Sequence, residues 1–395
     1  MTVATKKLYD EDAYKTDFEA GVISTGINND RIEIVLDKTL FFPEEGGQDA
    51  DTGEIDGFEV VDVQIASDIV THYIAHTSAA EEHFRAGITV QGRINWKKRF
   101  SNMQNHTGEH ILSGILHNEF LSENVGFHLS VNTVTLDTSR YLTESELLEL
   151  EIRANQAVYS NMEVRAEYIP DSELKKIDYR SKKEIDGAVR IVTIGELDRC
   201  ACCAPHVRRT GEVGLIKITK AIKWKDGTRI WFLCGSRALD YVQTVFQNVD
   251  QVAHLTSEAP DKIASGVQRI CDENYELKGR LFQCQSELLQ EKIKNISDIK
   301  SDVVIFENIE NPKIQRNAVN DLVERFDGVC AVFSLNNNGS YQYIMGSKNK
   351  DCRTVGKLLN EKFGAKGGGK PEMIQGSVSA DKEAIIEALK VTLDI

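Results

Sequence analysis

"NHTGEHILSG" (residues 105–114) places His106 and His110 four apart, with Glu109 directly before the second histidine. The apolar residues of the surrounding "RFSNMQNHTGEHILSGILHNEF" recur on a helical period, which predicts a helix. On it both imidazoles lie on one face, one turn apart, and can close on a single ion. Two ligands alone do not hold such an ion. The second half is expected from "DRCACCAPHVRRTGEVG" (residues 198–214), where Cys202 and His206 repeat the four-residue spacing. Imidazoles with a thiolate suit Zn²⁺ better than the oxygen-seeking Mg²⁺ or Ca²⁺. The candidate metal ligands are therefore His106, His110, Cys202 and His206. Spacing alone does not choose Cys202 over Cys200 or Cys203, which lie within reach of the same point. His117 and His128 read as structural or substrate-facing groups. The bland reading of the histidine pair alone, two helix residues four apart by chance, is weakened by the later Cys/His cluster.

At 395 residues and 41% hydrophobic content the chain is long enough for two or three domains. Its formal charge of −14 argues against a surface that binds nucleic acid or anionic lipid indiscriminately, though a local basic groove stays open. No N-terminal stretch combines a basic start, an apolar core and a small-residue cleavage site. No run approaches the roughly 18 apolar residues of a membrane span. The expectation is a soluble, cytoplasmic protein with no membrane partner. Eight cysteines fit a reducing compartment, and three crowded into residues 200–203 suggest metal ligation rather than disulfides.

The expected fold class is α+β and multidomain. In residues 1–95, short alternating runs such as "RIEIVLD", "FEVVDVQIA" and "GITVQGRIN", separated by Gly, Asp and Asn, predict antiparallel strands and an N-terminal β-barrel. Residues 96–245 mix the histidine helix and an acidic helix "TESELLELEIRANQAVY" with strands in "HLSVNTVTLDTS", "VRIVTIG", "GLIKITKAIKW" and "TRIWFLCG", an α/β zinc-binding domain. In residues 246–296, Ile263, Val267, Ile270, Asn274, Leu277, Leu281, Cys284 and Leu288 recur on a heptad. An antiparallel helical hairpin or a dimeric coiled coil both satisfy this seam, with Asn274 fixing register. The bland alternative is one long helix lying on the preceding domain. Residues 297–395 read as a last α/β unit, with strands "SDVVIF", "GVCAVFSL" and "SYQYIMGS", a hairpin turn at "NNNG" and helices at "TVGKLLNEKF" and "DKEAIIEALKVTL". With 13 Lys and Arg against 14 Asp and Glu, this tail is the region electrostatically most able to meet RNA.

"NHTGEHIL" resembles the HxxxH motif, and "CCAPHVRRTGEVG" the CGGTHV-type motif, of the alanyl-tRNA synthetase editing domain and its free-standing AlaX relatives. "TLFFPEEGGQDADTG" (residues 39–53) is similar to the T-x-F-[YF]-P-x-x-GGQ-x-x-D-x-G stretch of that family's barrel. "GAKGGGKPEMIQGS" (residues 364–377) resembles the Gly-rich loop of its DHHA1 domain, which follows a coiled coil in the long AlaX forms. About forty residues precede the first motif, too few for a class II aminoacylation core, so the resemblance implies an editing factor acting in trans.

That resemblance implies zinc on His106, His110, Cys202 and His206, which resolves the choice among the cysteines. It implies hydrolysis of the ester on alanine tRNA mischarged with serine or, to a lesser degree, glycine. Thr39 falls where the family places its serine-sensing hydroxyl, with Gln48 orienting from the same loop and Gly46 and Gly47 letting backbone amides approach substrate. Lys366, Gly367, Gly368, Gly369 and Lys370 are the implied tRNA contacts, and a homodimer through the helical segment or the C-terminal domain is a further expectation. Where the family has CGGT, this chain has "CCAP", losing two glycines and a hydroxyl beside the metal. Without the family match, the 39–53 loop reads as a tight turn and the 364–370 stretch as a flexible turn. Two rivals remain. "HTGEH" also fits H-x-x-E-H, a zinc-peptidase motif with the glutamate as general base, and a tRNA-binding protein with structural zinc needs no hydrolysis. In the editing reading Glu109 is a helix-surface residue or one set just behind the ligands.

Overall fold

In Arg31–Leu36, Ile32, Ile34 and Leu36 turn inward while the residues between them do not, the period of a half-buried strand. The computed structural model describes residues 4–174, 176–181, 189–296, 301–309, 311–336 and 338–395. Contacts divide the chain into two units, Met1–Asn248 and Val249–Ile395. Six strands of the first unit, Asp17–Asn28, Arg31–Leu36, Ile69–Ala75, Phe58–Ala66, Gly53–Ile55 and Thr89–Ile94, close in that order into a barrel. Closure removes the unpaired edge that would template another chain. Phe18, Ile34, Leu36, Phe41, Val63 and Val90 fill its interior. The stretch between Lys38–Thr39 and Gly53–Ile55 leaves the barrel as a loop and reaches the second part of the unit.

That part is organised around the helix Trp96–Phe120, capped at its start by the Asn95 side chain and stopped where Leu121 turns left-handed. Every residue from Ser101 to Leu116 is buried. A helix enclosed all round normally carries apolar side chains. This one also encloses Asn102, Gln104, Asn105, His106, Thr107, Glu109, His110 and Ser113, each of which needs a partner inside. Of the two places expected for Glu109, the helix surface is ruled out, since it is only 4% exposed, and it lies instead beside the ligand His110.

Two sheets and a second helix share the core around it. One sheet runs Ile216–Trp224, Gly227–Cys234, Val134–Thr138, Asn124–Leu129, and the other Val164–Ile169, Val189–Ile194, Asp198–Ala201. The second helix, Glu144–Tyr159, begins with a capping box between Thr143 and Glu146. Two glycines set how closely these pieces approach. A Cβ on Gly108 would lie 2.3 Å from the Cys234 sulfur, and one on Gly114 2.5 Å from the Leu197 carbonyl oxygen. The second approach delivers Asp198 to the helix.

The second unit holds a five-stranded sheet in the order Val303–Glu307, Cys330–Leu335, Tyr341–Gly346, Met373–Val378, Lys366–Lys370, its first pair parallel and the rest antiparallel. Along Cys330–Leu335, Cys330 and Val332 face a core with the helix Pro312–Arg325, while Ala331 and Phe333 face one with Arg353–Phe363 and Lys382–Leu389. Burial on both faces explains the unbroken apolar run. The glycine-rich stretch read as a loop is instead the edge strand Lys366–Lys370, exposed along its length. Of the hairpin turn, Asn337 lies outside the described residues. The helix Ile263–Lys294 buries Leu289 and Ile293 in the sheet's core, whereas Val267, Ile270, Leu277, Leu281 and Leu288 of its heptad stay exposed. All eight cysteines are free. Among the described residues no helix is long and apolar enough to cross a membrane.

Candidate metal centre

His106, His110, Cys202 and His206 converge, one ligand atom from each lying within 4.8 Å of the others. The helix supplies the first two from adjacent turns, and the segment after Asp198–Ala201 supplies the others. That segment is stapled in place by Arg190, whose Nη1 donates to the carbonyls of Cys202 and Ala204 at 2.9 and 2.8 Å, while Cys202 N donates to the Arg190 carbonyl.

Each imidazole is oriented through its Nδ1. His106 Nδ1 lies 2.8 Å from Gln48 Oε1, His110 Nδ1 2.8 Å from Asp198 Oδ2, and His206 Nδ1 3.0 Å from Thr107 Oγ1. A proton on each Nδ1 makes all three bonds and leaves the Nε2 lone pair for a metal. Arg180 in turn fixes Asp198, its Nε donating to Oδ1 at 2.8 Å. Cys202 Sγ lies 3.6 Å from His106 Nε2 and 3.4 Å from His206 Nε2. Metal–sulfur and metal–nitrogen bonds of about 2.3 and 2.0 Å at tetrahedral angles need roughly 3.5 Å between those atoms. Both sulfur–nitrogen separations are those a tetrahedral ion needs.

Electrostatics separates the three cysteines that spacing leaves open. Burial alone would raise the Cys202 thiol, yet His106 and His206 around its sulfur hold it well below the ordinary range, as a ligating thiolate requires. Burial pushes Cys200 up to about 11 and Cys203 up as well. Burial also drives His206 down, to about 3, leaving the ring neutral.

His106, His110 and Cys202 border a cavity of about 600 Å³. Gly46, Gly47, Glu109, Asn124, Phe127, Arg180 and Cys203 complete much of its lining. Gly46 and Gly47 adopt φ of +64° and +84°, and a Cβ on Gly47 would come within 2.5 Å of the Phe127 carbonyl oxygen. Only glycine permits both the turn and this approach. Leu129 N donates to the Gly47 carbonyl and Asp49 N to that of Leu129, pinning the loop to the strand Asn124–Leu129.

Gln48, expected to orient substrate, is 1% exposed and sits behind His106. Thr39 is wholly buried, its hydroxyl 2.8 Å from His72 Nε2 and accepting from Phe41 N at 3.0 Å, and it does not line the cavity. His117 pairs with Glu123 in the open, and His128 is exposed. Lys366, Gly367, Gly368, Gly369 and Lys370 lie together on the exposed edge strand of the second unit. Sequence reasoning missed Asp198, Arg180, Thr107 and Asn124. The signal that points to them is the number of polar side chains a fully enclosed helix carries.

Three family profiles match the chain: tRNA synthetases class II (A) over residues 11–98, the threonyl and alanyl tRNA synthetase second additional domain over residues 189–231, and the DHHA1 domain over residues 300–394. The alanine–tRNA ligase of Pyrococcus furiosus is 31% identical over 98% of this chain, which spans only 43% of that ligase. That of Thermococcus kodakarensis is 30% identical with the same shares. The alanyl-tRNA editing protein AlaX-L of Pyrococcus horikoshii is 26% identical over 97% of this chain and 96% of its own. Among solved structures, the C-Ala domain of Aquifex aeolicus alanyl-tRNA synthetase aligns with 24% of this chain and 91% of its own at 24% identity, with a TM-score of 0.20. The chain is AlaX-L-like, carrying the second additional domain and a DHHA1 domain and matching that protein over nearly its whole length.

Proposed function

We propose that the chain is an aminoacyl-tRNA hydrolase acting in trans, which removes serine, and to a lesser degree glycine, from mischarged alanine tRNA at a zinc site. One observation carries the reading: His106, His110, Cys202 and His206 converge beside a cavity whose wall includes the Gly46 and Gly47 backbone, in a chain that resembles AlaX-L from end to end. In the reaction water adds to the ester carbonyl carbon and the bond to the ribose oxygen breaks, giving free amino acid and a terminal ribose hydroxyl. The ester is already activated, so positioning and charge stabilisation are the main demands. Bound zinc supplies Lewis acidity, or an anchor for the amino group or ribose. Gly46 and Gly47 let backbone N–H groups come close to the developing oxyanion. Gln48 acts by fixing the His106 ring, and Thr39 by anchoring the base of the loop against His72.

In the second unit, Lys366 and Lys370 flank three glycines on an open strand edge, where cations and bare backbone suit a tRNA phosphate chain. A cytoplasmic location and homodimerisation, through the exposed heptad of Ile263–Lys294 or the C-terminal domain, belong to the same proposal. The test is incubation of the metal-loaded protein with serine-, glycine- and alanine-charged alanine tRNA beside a peptide panel. Rapid loss of the serine ester with the alanine ester spared is the expected result. Peptide cleavage without ester loss would favour the H-x-x-E-H peptidase, and tRNA binding without any hydrolysis a recognition protein with structural zinc.

A further inference from the structure

The four-stranded sheet beside the histidine helix buries one face and leaves the other open. Along Gly227–Cys234, Thr228, Ile230, Phe232 and Cys234 are buried, while Arg229, Trp231 and Leu233 between them are only partly so. Directly paired residues share a face. Register therefore sets Lys220, Trp231, Thr135 and His128 in one row across all four strands, and Ile222, Arg229, Asp137 and Gly126 in the next. Rings and cations interleave on this face. Lys220 Nζ lies 5.0 Å from the centre of the Trp231 ring, and Arg229 Cζ 4.0 Å from that of Trp224, which is 38% exposed.

The face is basic in an acidic chain. The hairpin Ile216–Trp224 and Gly227–Cys234, with its turn, carries Lys217, Lys220, Lys223, Lys225 and Arg229 against the single acid Asp226, where the whole chain has a formal charge of −14. Glu151 pairs with Lys217 and Asp137 with Arg229. Lys220, Lys223 and Lys225 are exposed, with no ion pair among the described residues. Three free lysines beside two cation-covered tryptophans, on a sheet face that nothing covers, suit a phosphate chain. At its other edge the sheet ends in Asn124–Leu129, which carries His128 on the open face and Asn124 and Phe127 on the cavity wall. The basic edge thus lies about 14 Å, three inter-strand spacings, from the strand that walls the cavity.

We propose that this face docks the acceptor stem of the charged tRNA, with its lysines on backbone phosphates, an inference that rests on the hydrolase reading above. The ester ends a short single strand, and the paired stem begins a few nucleotides behind it. With the ester in the cavity, that strand crosses from Asn124–Leu129 towards the hairpin, and the first phosphates of the stem meet Lys220, Lys223 and Lys225. Trp231 and Trp224 steady the cations lying over them. Phosphate contacts carry no sequence information, so the surface supplies affinity and orientation and does not itself select alanine tRNA. It lies wholly within the first unit, apart from the glycine-rich edge strand of the second.

The test uses the full-length, metal-loaded protein with serine esterified to whole tRNA, to an acceptor-stem minihelix and to adenosine alone. With Lys220→Ala, Lys223→Ala and Lys225→Ala combined, KM for whole tRNA and minihelix is expected to rise at least about tenfold near ~150 mM salt, and the salt slope of binding to fall by roughly 2–3. The adenosine ester, too short to reach the hairpin, should be cleaved at the wild-type rate with metal content unchanged. Arginine at the same three positions keeps the charge and should stay within about threefold of wild type throughout. An unchanged KM on the minihelix would overturn the inference while leaving the hydrolase reading intact. So would a loss on whole tRNA alone, which would move the contact away from the acceptor stem, or an equal loss on all three esters, which would mark damage to the site. A wild type inert towards all three esters would overturn the hydrolase reading. Minihelix binding by filter assay, unchanged in the triple alanine variant, would then overturn the surface as well.

Discussion

Three imidazoles and a thiolate make the centre, and the residues behind them decide how well it holds a metal. Replacing Asp198 with Asn keeps the shape beside His110 but removes the charge that Arg180 and the ring share. Metal affinity is expected to fall about 10- to 100-fold, as for other partners of ligating histidines, measured by competition with a chromophoric chelator. Cys202→Ala should lower metal occupancy from about one per chain while Cys203→Ala keeps it, since burial raises the Cys203 thiol. The reverse pattern would move the thiolate ligand. The histidine pair was legible in the sequence because it repeats one helical turn, whereas Cys202 was singled out only through the family resemblance, its segment not being helical. The partners of the rings were not legible, because Gln48, Asp198 and Thr107 lie 58, 88 and 99 residues from the rings they orient. For Glu109 the sequence left the helix surface open beside a place behind the ligands, because a polar residue on a helix is taken as exposed, and this helix is enclosed from Ser101 to Leu116.

Among the elements, the barrel carries its own titration. His72 is fully buried, donating to the Ile34 carbonyl, and burial lowers it from 6.5 to about 4. A neutral ring in the folded state and a ring that protonates near 6.5 when unfolded make the contribution to stability complete above pH 6.5. It is lost as pH falls towards 4, by about 3 kcal/mol in all. Denaturant unfolding at several pH values should show this slope, and His72→Gln, though less stable at neutral pH, should flatten it. The histidine helix makes a second test. Gly114→Ala is expected to push away the Leu197–Asp198 turn and weaken metal binding, whereas Gly279→Ala, with open space around it on the helix Ile263–Lys294, should stabilise the second unit by roughly 0.5–1 kcal/mol. The alternating runs revealed the barrel strands, since half-buried strands have a strict period of two. The Gly-rich stretch hid its strand because glycines carry no period, and only pairing with Met373–Val378 defines it.

For the molecule as a whole, the division after Asn248 separates the metal cavity from the glycine-rich edge strand. A chain ending at residue 256 is expected to retain the metal yet bind tRNA at least about tenfold more weakly, read by filter binding at fixed salt, since fewer phosphate contacts remain. Equal affinity would assign the second unit to assembly instead. The claim on which the rest depends is that the His/Cys cavity is where the ester is cleaved. Single-turnover release of labelled serine from serine-charged alanine tRNA, with wild type and Cys202→Ala side by side, tests it most directly. Fast release by the wild type and at least about a hundredfold slower release by the variant is the expected result. Equal rates, with the variant shown to lack metal, would contradict it.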